Sequence, residues 1–261
     1  MGTQLNHPAG NFSWFELGTS DQAGAKEFYT KYFGWSFRDS PLPPEMGGVY
    51  TTWLLGDKEV GAAYQIGPQM PGVPPHWMSY IAADSADDIA AKATAHGGTA
   101  LCPSMDVMEH GRMVMLQDPT GATFGVWQPK QHLGVDLFGA AGTVCWTELA
   151  TSDLKKAETF YSDVFGWTLK QSDIPDMDYT EFSNGSQPLG GMMKLMEHMV
   201  GVPSHWGIYF MVDDCDAMAA KATTLGATVC AAPQDIPNTG RFAVIQDPQG
   251  ATFMIFKPAM G

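Results

Sequence analysis

Phe28-Tyr29-Thr30-Lys31-Tyr32-Phe33-Gly34-Trp35 returns 132 residues later as Phe160-Tyr161-Ser162-Asp163-Val164-Phe165-Gly166-Trp167. Gln117-Asp118-Pro119-Thr120-Gly121-Ala122-Thr123-Phe124 returns 129 residues later as Gln246-Asp247-Pro248-Gln249-Gly250-Ala251-Thr252-Phe253. The chain is therefore a tandem repeat, three residues shorter in its second copy between Trp167 and His205. A repeat this long is a structural unit copied whole, and a site used by both copies should recur at matching positions.

Each half repeats again, more faintly. Trp14 to Asp21 is echoed by Trp77 to Asp84, and Trp146 to Asp153 by Trp206 to Asp213. Four modules result, each opening with an apolar strand, an Asp and a helix that stops at Gly. In the first helix Ala25, Phe28, Tyr29, Tyr32 and Phe33 form one stripe at helical spacing. Ser20 or Asp21 caps its start and Gly34 suits its left-handed stop. Ala157, Phe160, Tyr161, Val164, Phe165 and Gly166 repeat the pattern. The helices after Asp84 and Asp213 are Ala-rich and end at Gly97 and Gly226. Val49–Leu55 and Val60–Ile66 flank Gly56-Asp57, a hairpin signal. Met113–Gln117 and Thr123–Trp127 flank Asp118-Pro119-Thr120-Gly121, a type I turn with Pro and Gly where that turn wants them. The order is β-α-β-β-β, and two such modules side by side can curl into a shared cup. The expected fold is α+β in two domains, residues 1–130 and 143–261, joined by a linker at 131–142.

Two domains of about 130 residues match the usual domain size. No apolar run approaches the roughly 20 residues needed to cross a bilayer, and the start of the chain reads as no secretory signal. The four cysteines, Cys102, Cys145, Cys215 and Cys230, do not follow the repeat and form no CxxC, which reads as a reduced, cytoplasmic setting. A net charge of −14 argues against nucleic acid. No phosphate loop, GxSxG elbow, HExxH or EF-hand sequence is present.

Paired βαβββ modules, strand starts of the form aromatic-x-x-Leu-x-Thr-x-Asp, the phrase FY…FGW and a closing DPxG-x-x-Phe strand together resemble the vicinal oxygen chelate superfamily, the glyoxalase, bleomycin-resistance and extradiol-dioxygenase group. The tandem, two-domain glyoxalase-like proteins are the nearest pattern. The resemblance implies a divalent metal held in the cup by His, Gln or Glu on the first and last strands of the modules. The first-strand positions carried over are Trp14, Trp77, Trp146 and Trp206, and the last-strand positions are Gly125 and Met254. Indole, glycine and thioether are not ligands for such an ion. The expectation is a metal-free cup with no cofactor.

Trp14, Trp77, Trp146 and Trp206 either line a flat apolar pocket or fill it as core. Glu16 and Glu148 lie two residues beyond Trp14 and Trp146, so on a strand they share that face. They are the candidate catalytic residues, because a carboxylate in an apolar wall becomes a better general base or acid; the alternative is a structural tie. His76 and His205 are the only histidines that recur, and as neighbours of the tryptophans they should point out of the cup. Arg112 and Arg241 either greet an anionic ligand at the rim or pair with nearby acids. The Met-rich run from Met192 to Met199 either tunes the second cup or packs. The expected function is binding of a small apolar or planar molecule by a monomer or homodimer, without nucleic acid or membrane. The alternatives are a lyase, isomerase or dioxygenase-like enzyme using Glu16 or Glu148, and a structural or partner-binding protein with filled cups.

Overall fold

The computed structural model describes residues 5, 7–44, 47–173, 178–196, 199 and 201–259. In the first half these form β1 (Phe12–Thr19), α1 (Gln22–Phe33), β2 (Ser36–Pro41), β3 (Val49–Leu55), β4 (Lys58–Gln65), β5 (His76–Ala82), α2 (Ala86–Ala95), β6 (Thr99–Ala100), β7 (Met105–Val107), β8 (Gly111–Gln117) and β9 (Thr123–Pro129). The second half supplies β10 (Val144–Thr151), α3 (Leu154–Phe165), β11 (Thr168–Gln171), β12 (Tyr179–Asn184), β13 (Gln187–Lys194), β14 (His205–Met211), α4 (Cys215–Thr224), β15 (Thr228–Ile236), β16 (Gly240–Gln246) and β17 (Thr252–Pro258). The fold is α+β in tandem. Each half contributes one mixed sheet, ordered β2-β3-β4-β1-β5-β9-β8-β6, with β7 also on β8, and β11-β12-β13-β10-β14-β17-β16-β15.

The caps explain where the helices begin and end. Asp21 and Asp153 accept from the backbone N–H of Gly24 and Lys156, and Gly34 and Gly166 close α1 and α3 at φ 75° and 73°. Only glycine adopts that conformation without a steric cost. Ser85 and Asp214, one residue beyond the expected aspartates, cap α2 and α4. The missing residues can be placed. Glu16 pairs with Ala62 and Glu148 with Gly191, an offset of 132 in β1 and β10 but 129 in β4 and β13. The loss falls between Gln171 and Thr180: Asp39 pairs with Thr51 and Gln171 with Thr180, an offset of 132 on one side of the pair and 129 on the other.

The sheets follow the two halves, but the compact units do not. One unit comprises Met1–Trp14, Ser79–Gly134 and Trp146–Gly207, the other Phe15–Met78, Val135–Cys145 and Ile208–Gly261. Each unit thus joins one module from each half. In the first, Phe124 of β9 packs on Phe160, Tyr161 and Phe165 of α3. In the second, Phe253 of β17 packs on Tyr29, Tyr32 and Phe33 of α1. The stripes read from the sequence are therefore buried against the closing strand of the other half.

Candidate functional site

The DPxG turns hold more than a hairpin. In the first unit the Asp118 Oδ1 accepts from the N–H groups of Thr120 and Ala122 at 2.7 and 3.0 Å, and its Oδ2 accepts from the Tyr161 hydroxyl at 3.1 Å. The Trp206 indole donates to that hydroxyl at 2.8 Å. The second unit repeats the chain: Trp77 donates to Tyr29 at 2.9 Å and Tyr29 to Asp247 at 2.9 Å. Burial, then the nearby aspartate, pushes both tyrosines well above their usual range. Burial also raises the Asp247 carboxyl, although three backbone N–H bonds and the Tyr29 hydroxyl oppose it. These are buried polar groups satisfied by one another.

This tie corrects the expected orientation of two tryptophans. Trp77 and Trp206 face the helices, with Trp77 edge-on to Tyr29 and Phe210, and Trp206 edge-on to Tyr161 and Phe12. They are core, not cup lining. Neighbouring strand residues point to opposite sides, so His76 takes the face away from the helices, against the expectation that it points out of the cup. A side chain built on Gly18 would meet the Tyr64 hydroxyl at 2.8 Å and the His76 Cε1 at 3.0 Å. His76 Nδ1 lies 2.8 Å from the Pro74 carbonyl, and His205 Nδ1 2.9 Å from that of Pro203. A carbonyl only accepts, so each Nδ1 carries the proton.

The second unit therefore gathers Glu16, Tyr64 and His76 around Gly18. Glu16 is 8% exposed. Gly18 pairs with Tyr64 across the β1–β4 ladder, so both share the face of Glu16. Burial, then the Glu16 charge, raises the Tyr64 hydroxyl strongly. Sequence reading missed Tyr64 because it stands out only once β4 is laid beside β1.

The first unit holds the other carboxylate. Glu148 is half-buried. The Trp146 indole donates to the Tyr179 hydroxyl at 2.8 Å. Tyr179 hydrogen-bonds Glu148, and its hydroxyl is raised well above the usual range by burial, then by the Glu148 charge. Tyr179 leans over Gly191, where any side chain would collide with its ring. In the same unit Trp14 is 7% exposed and meets the His132 ring edge-on at 4.4 Å. Trp127 donates to the His132 carbonyl at 2.8 Å, fixing that residue beside Trp14.

Arg112 and Arg241 are both engaged. Arg112 forks onto Asp87 at 2.9 and 3.1 Å. Arg241 forks onto Asp216 at 2.8 and 2.9 Å and reaches Asp235 at 2.9 Å. Those bonds hold the Asp87 and Asp216 carboxyls below the ordinary range. Of the Met-rich run, Glu197 and His198 lie outside the described residues.

A profile of the Glyoxalase/Bleomycin resistance protein/Dioxygenase superfamily matches residues 5–126 and again 143–255. The chain belongs to this superfamily. It is 44% identical over 261 residues to CFP32 of Mycobacterium tuberculosis, named a glyoxylase, covering 99% of both chains. It is 34% identical to the anthracycline biosynthesis protein DnrV of Streptomyces peucetius, covering 93% of this chain and 91% of that one. The Mn(II)-bound glyoxalase of Novosphingobium aromaticivorans shares the fold, with a TM-score of 0.66 at 15% identity over 97% of this chain and 83% of that one.

The residues at the superfamily's metal positions do not fit such an ion. Trp14 and Trp146 offer indole, and Met254 a thioether. A side chain at 125 would collide with the Tyr80 ring. Among the described residues, no three His, Cys, Asp or Glu side chains are grouped to hold a metal. Carboxylate and imidazole remain on these faces, in arrangements suited to hydrogen bonding and proton transfer.

Proposed function

We propose that this superfamily member binds a small planar, largely apolar molecule and does so without a metal. The observation that carries the reading is Trp146, half-buried and held by its bond to Tyr179, at a position where the superfamily resemblance implies a metal ligand. An indole fixed on one edge presents a flat apolar face with a polar hook beside it, which suits stacking on a planar ring system. The relationship to DnrV supports this ligand shape, since that protein is named for the biosynthesis of anthracyclines, which are planar and polycyclic. Among the described residues no helix is long and apolar enough to cross a membrane. We take the protein to work in the cytoplasm, as a monomer or homodimer.

The test is native mass spectrometry of freshly purified protein, followed by titration with a hydroxyanthraquinone while tryptophan fluorescence is read. Saturable quenching that weakens at least tenfold in Trp146→Leu supports the reading. Stoichiometric zinc, nickel or manganese retained after dialysis overturns the metal-free part. A second reading, enzymatic use of Glu16, is favoured by the Tyr64 and His76 groups beside it.

A further inference from the structure

Matched residues of the two halves differ in how far solvent reaches them. Trp14 is buried, whereas Trp146, its counterpart on β10, is half-buried. Trp127 is buried as well, and Phe256, its counterpart on β17, is again half-buried. In the first half the cover comes from the segment that follows β9. Lys130 and His132 donate their backbone N–H groups to the His110 carbonyl at 3.0 and 3.1 Å, and Gln131 donates to that of Glu109 at 3.2 Å. The Trp127 indole adds a fourth bond, to the His132 carbonyl. These bonds pin the segment to the turn between β7 and β8. So held, the His132 ring stands edge-on to Trp14 at 4.4 Å and to Trp127 at 6.0 Å. Aromatic pairs sit with their centroids roughly 4.5–7 Å apart, so no further ring enters between His132 and Trp14. The second half has lost the hook. Phe256 carries no ring N–H to hold a carbonyl, and the Trp146 indole is turned to the Tyr179 hydroxyl.

We propose that His132 selects between the halves: it takes the stacking position on Trp14, so each chain binds one planar molecule, at Trp146. This rests on the planar-ligand reading above and names the half to which it applies. Trp14, Trp127, His132 and Trp146 all belong to the first compact unit, so one packed body carries both the closed position and the open one. His132 acts by exclusion, as an aromatic ring supplied by the chain itself where a ligand ring would lie. Trp127 is a positioning residue, because its N–H fixes the carbonyl that carries that ring. The copied strand therefore keeps an indole in both places, and the residues around it decide which indole is offered to a ligand. Removing His132, or the N–H that holds it, turns Trp14 into a second stacking position.

The experiment uses the full-length protein with 1,4-dihydroxyanthraquinone as probe, and its stoichiometry is read by isothermal titration. A second readout needs no ligand. The protein is made with 5-fluorotryptophan, and the shift of each fluorine NMR line between H2O and D2O is recorded, Trp14→Phe and Trp146→Phe assigning the lines. Wild type should take one molecule per chain, and its Trp14 line should be far less solvent-sensitive than that of Trp146. His132→Gly should bring the stoichiometry to two and make the Trp14 line as solvent-sensitive as that of Trp146. Trp127→Phe, which installs the residue of the second half, should move both readouts the same way, so a folding defect in one variant does not decide the matter. Two molecules on each wild-type chain, or a wild-type Trp14 line as solvent-sensitive as that of Trp146, overturns the assignment. So does a stoichiometry that stays at one in both variants after the Trp14 line has become solvent-sensitive. If the Trp14 line behaves as expected but neither wild type nor variant binds the probe, the closure by His132 stands and the planar-ligand reading falls alone.

Discussion

Glu16 and Glu148 occupy matching places in two copies of one strand, yet their neighbours differ. Around Glu148 an indole donates to a tyrosine and the tyrosine to the carboxylate, a closed chain that fixes the group. Around Glu16 the tyrosine comes from the adjacent strand position and a histidine joins it over a glycine. The scaffolds beneath are almost the same: each unit carries a tryptophan–tyrosine–aspartate tie to a DPxG turn. A duplicated fold has kept its struts and changed what stands on the exposed side of them.

The strongest way to break this comparison is to cut the struts. Asp118→Ala and Asp247→Ala each strand a buried tyrosine hydroxyl and several backbone N–H groups, so each should cost about 3 kcal/mol or more. Unequal losses in denaturant unfolding would show that the scaffolds differ after all. Next come the tyrosines beside the carboxylates. Tyr179→Phe removes a charge-assisted bond and should cost about 2 kcal/mol, against about 1 kcal/mol or less for Tyr64→Phe. Equal costs would mean that Tyr64 holds Glu16 as tightly as Tyr179 holds Glu148.

Asp247 sharpens the comparison through pH. Its folded pKa is raised above the usual 3.8, by burial first. Between that value and the raised one the folded protein holds more protons than the unfolded chain, so stability falls as pH rises through the window. Asp247→Asn has no such group. Its stability deficit relative to wild type should shrink from about pH 4 upward, and a deficit that grows over that range would contradict the sign.

Trp53 gives a smaller effect. Its ring is fully buried and its indole N–H has no partner among the described residues, whereas Phe182 takes the matching place in β12 opposite Gly190. Trp53→Phe should cost no more than about 1 kcal/mol, because relief of an unpaired donor offsets lost area. The smallest effect belongs to Arg112→Ala and Arg241→Ala, whose exposed ion pairs should barely move the melting temperature. A large shift in either would mark the arginine as more than a surface tie.

Much of the fold was legible because repetition and helical stripes are strong signals. Phe28 to Trp35 and its copy placed α1 and α3, and the Gly56-Asp57 turn placed β3 and β4. Strand β2 was not placed, because all six of its residues are exposed and carry no alternation. The site was less legible. Repeat alignment put Trp77 and Trp206 on the face of Trp14, but a single residue of offset reverses a strand's faces. That error also turned His76 the wrong way. Glu16 and Glu148 were named as candidates from spacing alone. Tyr64, Tyr179 and His132 were not, since each enters through a neighbouring strand or the linker.

The mixed composition of the two compact units sets an order on synthesis at the ribosome. The Tyr161–Asp118 tie spans 43 residues, whereas the Tyr29–Asp247 tie spans 218. The first unit is complete once residue 207 has emerged, but the second waits for the last strands to be translated. Until then α1 holds its aromatic stripe without the strand that covers it. Long-range closure of this kind folds slowly and leaves apolar surface open to wrong partners. Ribosome-stalled chains long enough for residue 207 to have just cleared the exit tunnel should accordingly resist protease around α3 and remain cleavable around α1; equal protection of both helices would remove this ordering.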